Sequence, residues 1–187
     1  MNNKTTIHVI AGYCSEEVLW KLLVDLTSVM KDERTREWKV LMPDMVIVDG
    51  DDFTLDSETT EVVREFYPPE GIDNYGESGY VWSLGAMVCY ASSGHYVFGG
   101  RGGTYQHANP GVELPTLRKE HSSLTPLMRR CLCYSHAQRV SIKELNTLAV
   151  KGLESVRQMS RQKQTIVLAS EKHTAQSDDD DWPERMI

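Results

Sequence analysis

Apolar residues recur at helical spacing in several stretches of this chain, and polar or glycine-rich stretches separate them. After Ser15, a residue type suited to capping a helix, apolar residues at steps of three and four predict an amphipathic helix over 15–31. From about Ser78 to Ser92 the chain is apolar on almost every side, and such a helix belongs in the middle of a domain. The pattern therefore predicts one amphipathic helix and one buried central helix.

Two further helices are predicted in the C-terminal third. Ser122 and Ser123 can cap a helix that runs through LTPLMRRCLCY, and Pro126 fits its first turn. Ser141 and Glu144 have the spacing of a capping box, and the helix that begins there is expected to continue to about residue 163. Its apolar stripe consists of Leu145, Leu148, Ala149 and Leu153.

The β-structure is predicted to be small. Residues 4–10 are rich in β-branched side chains and predict a short strand. The runs MVIVD and FTL flank Gly50-Asp51-Asp52, which predicts a β-hairpin. Residues 94–111 contain many glycines and predict a long loop. The expected fold class is mainly α with a small β-hairpin.

Composition limits the classes of function. The chain has 187 residues with 40% hydrophobic content, which suits one core, predicted here over residues 1–165. Residues 166–187 end in SDDDDWPERMI and predict an acidic, flexible tail. The net charge of −7 argues against general nucleic-acid binding, and we find no apolar run long enough to span a bilayer. The N-terminal apolar patch is too short for a signal peptide, so we expect mature protein.

The cysteines and histidines do not indicate a metal or redox site. The four cysteines form no CxxC pair, and free thiols in the cytoplasm are the expectation. The six histidines are scattered without the spacing of zinc ligands. No cofactor is expected.

Five stretches, taken in order, resemble motifs of the protein-kinase C-terminal lobe. SEEVLWKLLVDLTSVM is similar to the long helix before the catalytic loop, and MPDMVIVDGDDFTL to the segment that follows it. Tyr67-Pro68-Pro69-Glu70 resembles the A-P-E motif. VWSLGAMVCYASSGHYVFGG and LMRRCLCYSHAQRVSIKEL resemble the central helix and the last motif of the lobe. The resemblance covers about residues 15–150 and implies a kinase-like C-terminal lobe.

The resemblance implies three structural residues. In kinases the glutamate of A-P-E pairs with the arginine of the last motif, and those positions are Glu70 and Arg139 here. A partly buried, two-pronged ion pair between them would tie the turn to the last helices. Trp82 would anchor the central helix in the core.

The same comparison implies that the catalytic groups are lost. The catalytic aspartate falls on Val40, the nearby lysine on Met42 and the metal-binding asparagine on Met45. The metal-binding aspartate of D-F-G falls near Ser57, and the aspartate of the central helix becomes Tyr80. Only about 14 residues precede the first helix, too few for an N-terminal lobe. Apolar side chains cannot bind Mg²⁺, which requires oxygen ligands, so no ATP binding is expected.

The expected function is a non-catalytic pseudokinase-like module that binds another protein as an adaptor or regulator. Its architecture parallels the kinase non-catalytic C-lobe (KIND) domains. One alternative is the C-lobe of a split kinase that takes its N-lobe from a second chain, although Val40 argues against it. A decayed remnant kept as a structural domain is a third possibility. We expect neither a nucleic-acid partner nor a membrane.

Two regions are candidate partner surfaces, and the sequence leaves two interpretations open for each. Trp38, Val40, Met42 and Met45 either form an exposed patch or fill the space of the lost catalytic groups. Trp182 beside the aspartate run makes the tail either a docking peptide or a solubilising segment. The basic residues before the tail either pair with it in the same chain or form an ordinary exposed face; they are Arg157, Arg161 and Lys163.

Overall fold

The computed structural model describes residues 5–30, 40–56, 63–72 and 75–176, with side chains up to residue 167. The described part is mainly helical, with a two-stranded antiparallel sheet, as the sequence predicts. The helices are α1 Ile7–Ile10, α2 Glu16–Val29, α3 Glu77–Ser93, α4 Gly102–Ala108, α5 Thr125–Cys131 and α6 Ile142–Gln176. The strands are β1 Val46–Asp49 and β2 Asp52–Leu55. Short 3₁₀ segments lie at Pro43–Met45, Arg64–Phe66, Val97–Gly100, Lys119–Leu124 and His136–Gln138.

The chain forms two compact units, Met1–Leu153 and Glu154–Ile187, and the division falls inside α6. The predicted boundary after residue 165 also lies inside this helix, which continues beyond the expected residue 163 to Gln176. The remainder of the predicted tail, residues 177–187, lies outside the described residues. The extent of the predicted flexible tail therefore stays a prediction.

Helix α2 confirms the prediction over 15–31 closely. The Ser15 hydroxyl accepts a hydrogen bond from the Val18 N–H at 3.3 Å and caps the helix. The acids that follow it lie in the first turn, where the helix dipole favours negative charge. One face is buried in the core by Leu19, Leu22, Leu23 and Leu26.

The hairpin is confirmed, with a turn one residue shorter than predicted. The pairing runs from Val46 opposite Leu55 to Asp49 opposite Asp52, so only Gly50 and Asp51 form the loop. Gly50 has φ of 59°, a left-handed conformation that glycine adopts without steric cost.

The predicted strand over 4–10 is wrong for most of its described length. Thr6 forms one antiparallel bridge with Ile47, and the chain then turns into the short helix α1. Because β1 begins at Val46, directly after the turn Pro43–Met45, it offers no further edge for a longer strand.

Helix α3 forms the centre of the first unit, as predicted. Every residue from 79 to 92 is buried, and Gly94 ends the helix in a left-handed conformation with φ of 74°. A Cβ at Gly85 would lie 2.7 Å from the Cβ of Cys131, so α5 crosses α3 at a point where only glycine fits. The small residue therefore permits the close packing of these two helices.

Two predictions in the later part of the chain are corrected. Residues 94–111 are not one long loop, because they contain α4. Ser122 and Ser123 do not cap α5, because both lie inside the 3₁₀ segment Lys119–Leu124 that leads into it. The Thr125 N–H instead donates to the carbonyl of Ser122, so the backbone of that segment supplies the acceptor. Pro126 lies in the first turn of α5, as predicted.

The first part of α6 confirms the prediction for its start. The Ser141 hydroxyl accepts a hydrogen bond from the Glu144 N–H at 3.2 Å. Leu145, Ala149 and Leu153 are buried along one face.

Candidate functional site

Arg139 and Glu70 form an ion pair with two parallel hydrogen bonds. Arg139 Nη1 donates to Glu70 Oε1 at 2.6 Å, and Nη2 donates to Oε2 at 2.8 Å. The arginine side chain is 0% exposed and the glutamate side chain 15% exposed. Such a buried, two-pronged pair fixes both the distance and the relative orientation of the two segments that carry it.

The remaining donors of Arg139 are satisfied by backbone carbonyls. Nε donates to Cys133 at 2.8 Å, and the two terminal nitrogens also donate to Ser78 at 2.9 Å and Tyr134 at 3.1 Å. All five guanidinium hydrogens therefore have an acceptor, which offsets the cost of burying the charge. The group joins the turn at Glu70, the start of α3 and the loop after α5.

Trp82 anchors α3 through its indole as well as through burial. Its Nε1 donates to Gln106 Oε1 at 3.0 Å, and Gln106 Nε2 donates to the Leu132 carbonyl at 2.7 Å. Both Trp82 and Gln106 are buried. The sequence indicated Trp82 but not Gln106, because a glutamine within a glycine-rich stretch carries no signal of burial.

The segment before β1 is bound to α3 by neutral hydroxyl groups. The Leu41 N–H donates to Ser83 Oγ at 3.2 Å, and the Tyr75 hydroxyl lies 2.9 Å from the same oxygen. The Tyr80 hydroxyl donates to the Leu26 carbonyl in α2 at 3.0 Å. Burial raises the pKa of Tyr75 and of Tyr80, so both remain protonated. Sequence analysis missed Ser83 and Tyr75, whose roles appear only when the segments are brought together.

Met42 and Met45 do not form an exposed patch. They are 3% and 4% exposed, and the sulfur of Met42 accepts a hydrogen bond from the Val63 N–H at 3.1 Å. Of the two alternatives for these positions, the exposed patch is therefore wrong, because both side chains lie in the interior. Val40 is half-buried, while Trp38 and Trp182 lie outside the described residues.

This segment offers little that could bind a metal ion. Its one acid, Asp44, is half exposed and lies 3.3 Å from His8 Nε2. Across the described residues, no group of three histidine, cysteine, aspartate or glutamate side chains could hold a metal ion. A magnesium–phosphate complex would need oxygen ligands that Val40, Met42 and Met45 do not carry.

An aromatic patch, formed by His8, Tyr90 and Tyr96, lies at the C-terminal end of α3. His8 Nδ1 is 2.7 Å from the Tyr90 hydroxyl, and the rings of Tyr90 and Tyr96 stack with centroids 4.9 Å apart. Phe66 packs against both tyrosines edge to face. Tyr96 is 37% exposed, whereas Tyr90 beneath it is buried.

Three of the four thiols are buried. All four cysteines are free. Burial raises the pKa of Cys14 to about 11 and that of Cys89 to about 12, so both stay protonated at neutral pH.

No protein-family model matches this sequence, and no curated protein matches it either. Within the described residues, no helix is both long enough and apolar enough to cross a membrane.

Proposed function

We propose that this protein is a non-catalytic interaction module on the frame of a protein-kinase C-terminal lobe. The single observation that carries the proposal is the buried pair of Arg139 and Glu70. It joins the two motifs that the kinase resemblance predicts to be paired. The order of α2, the hairpin, the Glu70 turn, α3 and the later helices is also the order of the corresponding kinase elements.

The apolar segment before β1 supports the absence of phosphoryl transfer. Phosphoryl transfer depends on positioning and on stabilising charge around the transferred group. Val40, Met42 and Met45 occupy the positions where the resemblance puts the polar groups for these tasks, and two of the three are buried. The same residues argue against the C-lobe of a split kinase.

The partner that fits this proposal is another protein, held in part by the aromatic patch. Of the two stacked tyrosines, Tyr96 is exposed, while Tyr90 and Phe66 are buried behind it and hold its ring in place. Rigid aromatic groups contribute contact area at low entropic cost. The free cysteines support a cytoplasmic location for this interaction.

Calorimetric titration with Mg-ATP tests the non-catalytic half of the proposal. The full chain is titrated beside an active protein kinase in the same buffer, followed by a phosphotransfer assay on a generic substrate. We expect no binding heat and no transfer. Saturable binding of nucleotide would favour the split-kinase alternative and overturn the proposal.

Affinity capture followed by reconstitution tests the binding half. A captured protein is purified and titrated against the full chain, against a chain without residues 170–187, and against Tyr96→Ala. Tyr134→Ala is the matched control, since Tyr134 is 39% exposed and lies outside the patch. We expect Tyr96→Ala to weaken binding by about tenfold and the control to leave it unchanged. Failure to reconstitute any purified complex would remove the basis of the proposal.

A further inference from the structure

A cation and two aromatic rings come together on the segment that leads into α4. We call these three residues, Phe98, Arg101 and Tyr105, the Arg101 site. The guanidinium carbon of Arg101 lies 3.7 Å from the centre of the Tyr105 ring. The rings of Phe98 and Tyr105 lie 6.1 Å apart between centroids. Arg101 is exposed and the two aromatic residues are half-buried, so the guanidinium stacks on a ring at the surface of the first unit.

The backbone at Phe98 has an unfavourable conformation that holds Arg101 in place. Phe98 has φ of 52° and ψ of 34°, a left-handed conformation that residues other than glycine rarely adopt. In this conformation its carbonyl accepts hydrogen bonds from the backbone N–H and from Nε of Arg101, both at 3.4 Å. The strained residue therefore helps to fix the guanidinium over Tyr105, and such strain is typical of sites that hold a ligand.

The two terminal nitrogens of Arg101 are open to a ligand. Nε bonds to the Phe98 carbonyl, and the ring of Tyr105 covers one face of the guanidinium. Within the described part of the chain, Nη1 and Nη2 form neither a hydrogen bond nor an ion pair. Glu65 passes close to Gly100, where a Cβ would lie 3.9 Å from its Cγ, and it does not pair with Arg101 either. A guanidinium fixed in this way matches the two oxygens of a carboxylate.

The charge of this region is opposite to that of the whole chain. The net charge is −7, yet no aspartate or glutamate occurs between Glu77 and Glu113, and Arg101 is the only lysine or arginine in that stretch. The local positive charge favours an acidic ligand. A phosphate group carries about two charges and is usually bound by a cluster of arginines. A single arginine therefore favours a carboxylate over a phosphate.

The Arg101 site is continuous with the aromatic patch. A Cβ at Gly100, the neighbour of Arg101, would lie 3.9 Å from Cδ2 of Tyr96, the exposed tyrosine of that patch. We propose that the Arg101 site binds a carboxylate side chain in an acidic segment of the partner protein, with Nη1 and Nη2 each donating to one carboxylate oxygen. This inference rests on the proposed function, because it names the chemistry of the partner that the aromatic patch would hold.

Selection of random peptides displayed on phage tests the chemistry of the ligand. The full chain is the bait, and peptides that also bind Arg101→Gln are discarded, so that the enriched set depends on this side chain. We expect the enriched peptides to share an aspartate or glutamate. Replacing that acid with its amide in a synthetic peptide should weaken binding by about tenfold to hundredfold. Enriched peptides without an acid, or no enrichment at all, would overturn the proposal.

Substitutions of the arginine test the two-pronged geometry. Arg101→Lys keeps the charge but not the planar fork, and we expect it to bind the selected peptide less tightly than the native protein does. Arg129→Gln is the matched control, because it removes another exposed arginine, in α5, and should leave binding unchanged. Binding by Arg101→Lys as tight as that of the native protein would contradict the two-pronged contact.

Competition and a second titration separate the remaining outcomes. Free glutamate should displace the selected peptide at a lower concentration than inorganic phosphate does, and the reverse order would assign the site to a phosphate group and contradict the proposal. The protein captured by the full chain is then titrated against Arg101→Gln and Tyr96→Ala. A loss of binding in Tyr96→Ala alone would overturn the Arg101 site and leave the proposed function in place. Equal binding by the native protein and both variants would overturn the interaction at the aromatic patch as well.

Discussion

Two regions of the first unit differ in the kind of side chain that they bury. One surrounds Arg139, and the other is the segment around Met42 and Met45. Around Arg139, a full charge is buried, and each of its hydrogens has an acceptor. Around Met42 and Met45, apolar side chains are buried, and the backbone is held by the neutral hydroxyl of Ser83. Arg139, Met42 and Met45 are all buried, and both regions are hydrogen-bonded to α3, so their difference does not arise from a difference in burial.

The comparison separates a group that maintains the fold from groups that would perform chemistry. A buried charge is tolerated only where it is paired, because desolvation costs several kcal/mol per ion. Arg139 meets that condition through Glu70. The proposed kinase resemblance places a catalytic aspartate at Val40 and a metal-binding asparagine at Met45, and either polar group would be costly to bury without a partner. In the proposed account, a frame of the kinase type keeps its paired charge while the positions assigned to catalysis by the resemblance are apolar.

The largest expected effect comes from breaking the buried pair. We expect Arg139→Ala to lower the free energy of unfolding by about 3–5 kcal/mol, because Glu70 would stay buried without its partner. Arg130→Ala is the matched control, since Arg130 pairs with Glu144 at 2.7 Å while both are about half exposed. The control should lose less than about 1 kcal/mol. Urea denaturation measures both, and equal losses would mean that the pair does not hold the fold.

The apolar segment should behave as core. We expect Met45→Ala to cost about 2–4 kcal/mol, because a buried side chain is removed and a cavity remains. The exposed Met159 in the second unit provides the control, and Met159→Ala should change the free energy of unfolding by less than about 0.5 kcal/mol. If Met45→Ala lowered the free energy of unfolding as little as the control does, Met45 would not be part of the core.

The neutral anchor of this segment should contribute less. Ser83→Ala leaves the Leu41 N–H and the Tyr75 hydroxyl without this partner, which we expect to cost about 1–3 kcal/mol. Ser93→Ala is the control in the same helix, because the Ser93 hydroxyl bonds to groups close in sequence, the Cys89 carbonyl and the His95 backbone, and joins no distant segment. Thermal unfolding compares the two, and a greater loss in Ser93→Ala would refute the role given to Ser83.

The smallest effect concerns a histidine that is kept neutral. His121 is buried, and its Nδ1 lies 2.7 Å from the hydroxyl of Ser92. Burial and the nearby charge of Arg118 lower its pKa, and these outweigh Glu120 and Glu16, which raise it.

Because the unfolded chain binds this proton more readily, the stabilisation is complete above about pH 7 and declines as the pH falls below about 6.5. We expect the loss of stability between pH 7.5 and 5.5 to be smaller in His121→Asn than in the native protein. His136→Asn removes an exposed imidazole and serves as the control. An unchanged slope in His121→Asn would show that another group causes it.

The elements predicted well are those whose residue pattern within the element is enough to identify them. Helix α2 has both its cap and its periodicity in the sequence, and α3 is apolar on every side because every side is buried. Helix α4 was missed because its first two residues are glycines, which disfavour helices. A Cβ on Gly102 would lie 2.6 Å from the Glu65 carbonyl oxygen, and one on Gly103 would lie 2.3 Å from Pro68. Tertiary packing therefore requires glycine at these two positions, and the same glycines make the sequence of α4 atypical of a helix.

The residues of the candidate site also fall into those that the sequence could identify and those that it could not. Glu70, Arg139 and Trp82 could be identified from motifs, and the structure places the two charged residues in contact. Gln106 and Ser83 could not, because each acts through one hydrogen bond to a segment distant in sequence. The burial of Met42 and Met45 was also undecided, since an apolar residue in a short segment fits a patch or a core equally well.

Methyl NMR of the eight methionines during titration with Mn-ATP tests the central claim most directly, because Met42 and Met45 report from the segment itself. Met42→Leu and Met45→Leu assign the two signals. We predict that neither signal broadens as Mn-ATP is added to the full chain, since no nucleotide complex forms beside the segment. Selective, saturable broadening of these two signals, reversed by excess Mg-ATP, would contradict the account of a kinase-like frame without nucleotide chemistry.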